Sequence, residues 1–462
     1  MAAAGSMMTE KTRRPLFNRS GVDRSGLDLS GRSLIVGLGA SGASAARFIH
    51  ARGGQLRIID SRAQPPGMDE LSDLDAEVIT QSLDARWLDD VARVVLSPGL
   101  SIDLPICAQA RERGIEILND VELFARVCEA PIIAVTGSNG KSTVVSLLER
   151  LLVAAGLDAV AGGNLGTPAL DLLDRAAELY VLEVSSFQME TTESLAPHAA
   201  AVLNVTADHL DRHTDMSTYA ALKEKLLRRA HTIVTNVDDP RVRAMAVRHP
   251  RRIEFSVLRP LQRGYSVIDD AIAIDGRPVM PLADLAMPGR HNVANVLAAL
   301  ALAATCTERL APMLKVLREF TGLPHRCEAV ATINGVSYIN DSKATNTGAT
   351  AAALAGLPGP LILIAGGVAK GADFTELRDF VRGKVRAAVL IGEAAAELGD
   401  AIGDLCQVAR ADTMGEAVAL ACEQARPGDT VILSPACASL DMFADYTERG
   451  RRFRDAVRSL AP

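Results

Sequence analysis

Short apolar runs alternate with amphipathic, alanine-rich segments along most of this 462-residue chain. Such alternation is the signature of βαβ units and parallel sheets. The pattern restarts three times. From about Leu27 to Asn119, "RSLIVGLGASGASAARFIHARGGQLRIID" reads as strand, glycine turn, helix, a break at Gly53-Gly54, and a second strand ending at Asp60. A second section opens at "APIIAVTGSNGKST". A third begins near "TGLPHRCEAV", where Gly322 and Pro324 punctuate a long Ala/Leu helix, and continues through the apolar strands "LILIAGG", "AAVLIG" and "DTVILSPA". Each strand ends in small or polar residues, and ligands of open α/β sheets gather at the carboxyl ends of strands.

Two of these turns are glycine loops. Gly37, Gly39 and Gly42 form G-x-G-x-x-G between a strand and a helix, with Asp60 at the end of the next strand. This is the context of a dinucleotide fingerprint, so a dehydrogenase is one reading and a ligand-free turn another. The second loop, "AVTGSNGKST", follows an expected strand Ile132–Thr136 and precedes a helix from Lys141 toward Gly156. Val135 stands where the usual P-loop has its first glycine. The rest of a phosphate cradle is present. Gly137 and Gly140 let N–H groups turn inward, the helix N-terminus and Lys141 bring positive charge, and Ser142 or Thr143 can ligate Mg²⁺.

Acidic and basic residues embedded in apolar surroundings supply further candidates. "AELYVLEVSSFQME" carries Glu183 inside an apolar strand, where a carboxylate needs a partner such as a metal unless it faces water. "AAVLNVTADHLDRH" emerges into Asp208, His209, Asp211 and His213, a set that suits a metal or phosphate site and equally a helix cap. In "STYAALKEKLLRRAH" the helical period puts Tyr219, Leu222, Leu226 and Leu227 on one face with Lys223 in its middle, while Glu224 and Lys225 point away. Lys223 must therefore snorkel, pair or be chemically changed.

Composition narrows the field. Apolar residues make up 48% of the chain and aromatics 3%, so Ala, Val and Leu fill the cores. A net charge of −7 gives no general pull toward nucleic acid or an anionic membrane, and neither is expected as a partner. The seven cysteines are scattered without a C-x-x-C pair, which fits a reducing cytoplasm rather than a disulfide framework or zinc site. No apolar run reaches membrane-spanning length, and the N-terminus lacks the apolar core of a secretory signal.

Taken together, "TGSNGKST", "GGNLG", "LEVSSFQME", "NVTADHLDRH", "MPGRHNVANVLAA", "LPHR", "NDSKATN" and "LSPACASLDMF" resemble the Mur ligases over nearly all of the chain. The pair "NDSKATN" and "SPACASLD" narrows the resemblance to members that add D-glutamate to UDP-N-acetylmuramoyl-L-alanine. The fold it implies is α/β in three domains, a Rossmann-like UDP-substrate domain at 25–119, a P-loop ATPase-like central domain with a parallel sheet at 120–322 and a Rossmann-like amino-acid domain at 323–462, preceded by a segment at 1–24 that reads as a disordered tail. A cytoplasmic monomer is expected.

The resemblance also implies roles. Gly39, Ala40, Ser41, Asp60, Ser61 and Gly99 correspond to UDP-substrate contacts, with Asn164 near the reacting end. ATP would be held by Thr136, Gly137, Ser138, Asn139, Gly140, Lys141, Ser142 and Thr143, joined by Asn292, Asn295, Arg326 and Asp341. Lys343, Thr345, Lys370, Ser439, Leu440 and Tyr446 match positions near D-glutamate. Ser142 and Glu183 match ligands of one Mg²⁺, and His209 with a carbamylated Lys223 match ligands of a second. Lys141, Glu183, His209 and Lys223 form the implied catalytic set. The chain departs from the family at Val368 and Ala369, where Asp and a small or polar residue are frequent, and at Tyr446, where Phe is frequent. A folylpolyglutamate-type ligase remains an alternative.

Overall fold

Three separate sheets organise the chain. The computed structural model describes residues 27–164, 166–208, 212–213, 215–246, 248–287 and 289–460. The expected tail at 1–24 and the candidate ligand His209 lie outside the described residues.

The first sheet contains β1 (Arg32–Val36), β2 (Gln55–Ile59), β3 (Ala76–Ile79), β4 (Val91–Leu96) and β5 (Glu116–Leu118) in the order β3-β2-β1-β4-β5. All its pairings are parallel. The chain leaves β1 at the point where strand order reverses. That opens a crevice at the carboxyl end of β1, where the G-x-G-x-x-G loop sits.

The second sheet contains β6 (Ile132–Thr136), β7 (Ala159–Gly163), β8 (Leu179–Glu183), β9 (Ala199–Val202), β10 (Thr232–Asn236) and β11 (Arg252–Ser256), followed by β12 (Tyr265–Ile268), β13 (Ala271–Ile274) and β14 (Arg277–Pro281). Its order is β14-β13-β12-β11-β10-β9-β6-β8-β7. From β7 to β12 the pairings are parallel, as expected, and β12–β13 and β13–β14 add an antiparallel edge. Strand β6 lies at this sheet's own switch point, between β9 and β8. Its side chains alternate between two cores, Ile132 and Ala134 on one face and Ile133 and Val135 on the other.

The third sheet contains β15 (Glu328–Ile333), β16 (Val336–Asn340), β17 (Leu361–Gly366), β18 (Val385–Ile391), β19 (Gln407–Arg410) and β20 (Thr430–Leu433) in the order β15-β16-β20-β17-β18-β19. Only β15 is antiparallel to its neighbour.

The cores are distributed unevenly. One buried apolar cluster runs from Ile35, Leu38 and Phe48 through Leu123 and Phe124 into Ile132, Leu182 and Tyr219, so the first two sheets share a core. Asp171 reinforces this junction, accepting from Ser44 Oγ at 2.6 Å and from Arg47 Nη2 at 2.8 Å. The third sheet has its own two clusters, one on each face, with every member at Cys327 or beyond. Polar contacts join it to the second sheet, among them Asn346 Nδ2 to Asp208 Oδ2 at 2.9 Å.

Candidate active site

The P-loop begins where β6 ends at Thr136. Gly137 and Gly140 both have positive φ, 153° and 87°, and Gly140 caps the helix Lys141–Ala154. The positive φ at Gly140 favours glycine, and a Cβ there would also have to displace the Asn295 amide. The loop is braced from behind. Ser138 Oγ donates to Thr206 O at 2.9 Å and lies 3.0 Å from the Tyr219 hydroxyl, and Asn139 N donates to Asn204 Oδ1 at 2.8 Å. Thr143 is buried in the first turn of the helix.

Lys141 curls back over this loop, donating to Gly137 O at 2.8 Å and Ser138 O at 3.0 Å. Desolvation pulls its ammonium down from the ordinary range, and the charges of Glu183 and Asp208 oppose that shift. Glu183, the last residue of β8, is only 3% exposed. The water-facing alternative for this residue is therefore excluded. Its Oε1 accepts from Asn164 Nδ2 at 2.8 Å, and its Oε2 is buried with no hydrogen-bond partner. An orphaned carboxylate oxygen is costly unless a cation meets it.

Lys223 does not snorkel. On the helix Met216–Arg228 it is 1% exposed, its Nζ donates to Gly137 O at 3.1 Å and lies 4.2 Å from the Tyr219 ring centroid. Burial first, then the neighbouring Lys141 charge, holds it well below the usual lysine range. Lys225 points elsewhere and pairs with Glu193. His213 flanks this cluster, its ring centroid 5.1 Å from that of Tyr219. It is buried, 3.0 Å from Ser186 Oγ, and stacks on Phe187.

Side chains flanking the third sheet reach this site directly. Arg326 Nη2 donates to Ser142 Oγ at 2.6 Å. Lys343 Nζ sits 3.8 Å from the Tyr446 ring centroid, and burial with the Arg326 charge brings it down to about 8. Its electrostatic neighbours also include Glu183, Lys141 and Lys370. Lys370 has a positive φ of 53°, Thr345 turns back on Lys343 O, Ser439 is buried and Leu440 is 70% exposed. Asp341 is buried, accepting from Ser434 Oγ at 2.9 Å and Cys327 N at 3.1 Å, and burial pushes its carboxyl up to about 7. Asn292 and Asn295 are buried one turn apart on the helix Arg290–Ala303, 3.3 Å between Nδ2 and Oδ1.

The first sheet's candidates gather separately, around the carboxyl ends of β1 and β2. Gly39 and Ala40 begin the helix Ala40–His50, and Ser41 lies in its first turn. A Cβ at Gly42 would collide with the Gly37 carbonyl, which explains the third glycine. Asp60 Oδ2 accepts from Leu38 N at 2.7 Å, and both of its oxygens bond to Arg62, which holds the carboxyl down at about 2. Ser61 and Gly99 are exposed beside it, Gly99 O accepting from Arg212 at 3.4 Å.

Sequence reasoning overlooks Arg62 and Arg212. Arg62 is two residues past a strand-end aspartate, and that spacing could have flagged it. Arg212 lies in "HLDRH", where the histidines draw attention away from it.

The donor set fits a hard cation beside phosphate. It offers one unpartnered carboxylate oxygen, a hydroxyl on Ser142 and flanking lysines. Among the described residues no group of three or more His, Cys, Asp or Glu side chains gathers as a metal cage. No helix among them is long and apolar enough to cross a membrane.

A P-loop-type glycine turn on the second sheet, met by Arg326 from the third, is the arrangement of a nucleotide-dependent enzyme. Family comparison gives the class a name. Residues 31–119 match the Mur ligase MurD-like N-terminal domain, 135–303 the Mur ligase middle domain, and 325–437 the Mur ligase glutamate ligase domain. The chain is 47% identical over 438 residues to a UDP-N-acetylmuramoylalanine--D-glutamate ligase of Marinobacter nauticus, covering 93% of this chain and 98% of that one. It is 44% identical over 447 residues to a protein of the same name from Methylococcus capsulatus, covering 96% and 97%. In fold it is similar to the UDP-N-acetylmuramate-alanine ligase of Thermotoga maritima, with a TM-score of 0.61 at 19% identity over 93% of this chain and all of that one. A pseudomurein peptide ligase from Methanothermus fervidus aligns with a TM-score of 0.60 at 16% identity, again over 93% and 100%. The chain belongs to the Mur ligase family, whose members are ATP-dependent and use Mg²⁺.

Proposed function

We propose that this protein joins D-glutamate to UDP-N-acetylmuramoyl-L-alanine at the expense of ATP, a cytoplasmic step of peptidoglycan precursor synthesis. The observation that carries the reading is the buried, unpartnered Glu183 Oε2 held beside Lys141 and Lys223, with Arg326 reaching in from the third sheet. The relatives of that name, matched almost end to end, support the choice of substrates.

A carboxylate is a poor electrophile because its oxygen is a poor leaving group. In the proposed reaction the L-alanyl carboxylate attacks the γ-phosphorus of ATP, the bond to the bridging oxygen breaks, and ADP leaves. The amine of D-glutamate then attacks the acyl phosphate, loses a proton as the C–N bond forms, and expels phosphate. Both reactants of the first step are anions. Lys141 would exchange its Gly137 and Ser138 carbonyls for phosphate oxygens and offset the repulsion as charge shifts in the transition state. Thr136, Ser138, Asn139, Thr143, Asn292, Asn295, Arg326 and Asp341 would hold the nucleotide. Mg²⁺, when bound, supplies charge neutralisation at the transferring phosphoryl group. Ser142 and Glu183 would hold one ion, with His209 and Lys223 at a second.

Lys223 suits that second role once carbamylated. Burial beside Lys141 lowers its pKa and so favours the neutral amine, the form that reacts with CO₂, and a carbamate there would offer anionic oxygen to a cation. Gly39, Ala40, Ser41, Asp60, Ser61 and Gly99 would bind the UDP moiety, and Asn164 would face the reacting end. Lys343, Thr345, Lys370, Ser439, Leu440 and Tyr446 would receive D-glutamate. In this reading the UDP-substrate, nucleotide and amino-acid domains span 25–119, 120–322 and 323–462, and the protein works as a monomer. The test is ADP release with UDP-N-acetylmuramoyl-L-alanine, comparing D-glutamate with L-glutamate. ATP turnover that requires D-glutamate supports the proposal. Turnover with neither amino acid overturns it.

A further inference from the structure

Arg449 is the largest fully buried side chain among the described residues, with 0% exposure, and none of their carboxylates lies within ion-pairing distance of it. Asp441 and Asp341 act on it only from beyond pairing distance, and burying a guanidinium without a directly paired counter-charge is expensive and is tolerated only when its donors are all engaged. They are. Nε donates to Ser342 Oγ at 3.0 Å, Nη1 to Cys437 O at 3.1 Å and Gly366 O at 3.4 Å, and Nη2 to Ser342 O at 2.8 Å and Cys437 O at 3.1 Å. Ser342 Oγ passes the link on, donating to Tyr446 O at 2.8 Å. Burial lowers the Arg449 pKa to about 10, which leaves it charged at neutral pH.

The partners are not scattered. Ser342 follows β16, Gly366 ends β17 and Cys437 follows β20, and β16, β20 and β17 are adjacent in the sheet. One planar fork therefore ties together the carboxyl ends of three neighbouring strands. The segments leaving those ends carry Lys343 and Thr345, Lys370, and Ser439 and Leu440. The helix that presents Arg449, Tyr446–Arg458, also presents Tyr446 beneath Lys343.

We propose that Arg449 is a positioning residue for the amino-acid substrate: it touches no reactant, but its fork sets the spacing of the three loops and the Tyr446 ring that form the acceptor pocket. This rests on the amino-acid site assigned above. Lysine cannot replace it, because an ammonium is a point charge with three donors and cannot span three strand ends in one plane.

The experiment compares Arg449→Lys and Arg449→Ala with the unaltered protein in steady-state ADP release, varying each substrate in turn, with thermal unfolding followed on the same samples. If the unaltered protein shows no D-glutamate-dependent turnover, the functional reading fails independently of Arg449. If it does turn over, Arg449→Lys is expected to stay folded and to raise the KM for D-glutamate at least about 10-fold, with the KM for ATP and for the UDP-substrate within about 2-fold. Added guanidinium at millimolar concentration should restore part of the D-glutamate affinity of Arg449→Ala, and methylammonium should not. A uniform loss across all three substrates that tracks the unfolding temperature, or an unchanged KM for D-glutamate in Arg449→Lys, overturns the proposal.

Discussion

Arg326 and Ser142 lie 184 positions apart in sequence, yet the arginine Nη2 donates to the serine Oγ at 2.6 Å. The contact joins the third sheet to the first turn of the P-loop helix. Bound nucleotide would compete for both partners, since the serine is a candidate metal ligand and the guanidinium a candidate phosphate contact. Arg326→Ala should therefore lower kcat/KM for ATP by about 10- to 100-fold, the worth of a charged hydrogen bond. Initial rates against ATP concentration measure it. A change under 2-fold would show that the contact is incidental.

Lys141→Ala removes the cation that covers the P-loop carbonyls. Turnover should fall by roughly 100- to 1,000-fold, as for loss of one preorganised transition-state donor. A kcat within a few-fold of the unaltered protein would remove Lys141 from the phosphates.

Lys223→Ala should lose about 100-fold or more of activity if a carbamate there holds a metal. Acetate or formate should restore part of it by filling the gap with a carboxylate. Lys225→Ala removes a part-exposed pair with Glu193 and a hydrogen bond to Met189 O, neither of them at the P-loop, and should change turnover little. Near-normal activity of Lys223→Ala without added carboxylate would refute the carbamate.

Asp341 gives a pH signature. Its carboxyl is raised from the ordinary 3.8 to about 7 by burial, so between those values the unfolded chain has released a proton that the folded chain retains. Stability then falls as pH rises across that window. Arg326 faces this carboxyl, and Cys327 and Ser434 donate to it. Asp341→Asn should flatten the decline between pH 4 and pH 7 and raise the unfolding temperature at pH 8, while weakening ATP binding. An unfolding temperature at pH 8 no higher than that of the unaltered protein would contradict this.

The G-x-G-x-x-G loop should bind the UDP-substrate and not NAD. Calorimetry decides between them. Heat from NAD and none from the UDP-substrate would return the dehydrogenase reading.

Much of this architecture is legible in the sequence where local signals agree. β6 spans Ile132–Thr136 and the helix starts at Lys141, as the glycine loop predicts. Lys223 is betrayed by its place inside an apolar helical stripe. Arg449 is not. Its segment, "TERGRRFRDAVR", reads as a solvated, charge-rich helix, and Arg451 and Arg452 are indeed exposed. Which of several neighbouring arginines faces inward is decided by strand ends more than 80 residues away in the case of Gly366, and no local pattern carries that. The antiparallel edge β12–β14 is similarly obscure, because its four- and five-residue strands are short and its turns rest on Asp269, Asp270, Asp275 and Gly276 at positive φ.

The apolar cluster shared by the first two sheets implies how the molecule should come apart on heating. Side chains from both sections are mutually enclosed there, so neither can melt without exposing the other. The apolar clusters of the third sheet draw only on residues from Cys327 onward. A scanning calorimeter should thus record two heat-absorption peaks rather than three, and a nucleotide that bridges the cleft should draw them together. A fragment cut near Gly322 would leave two self-sufficient pieces, whereas a cut near Asn119 would leave two sticky ones.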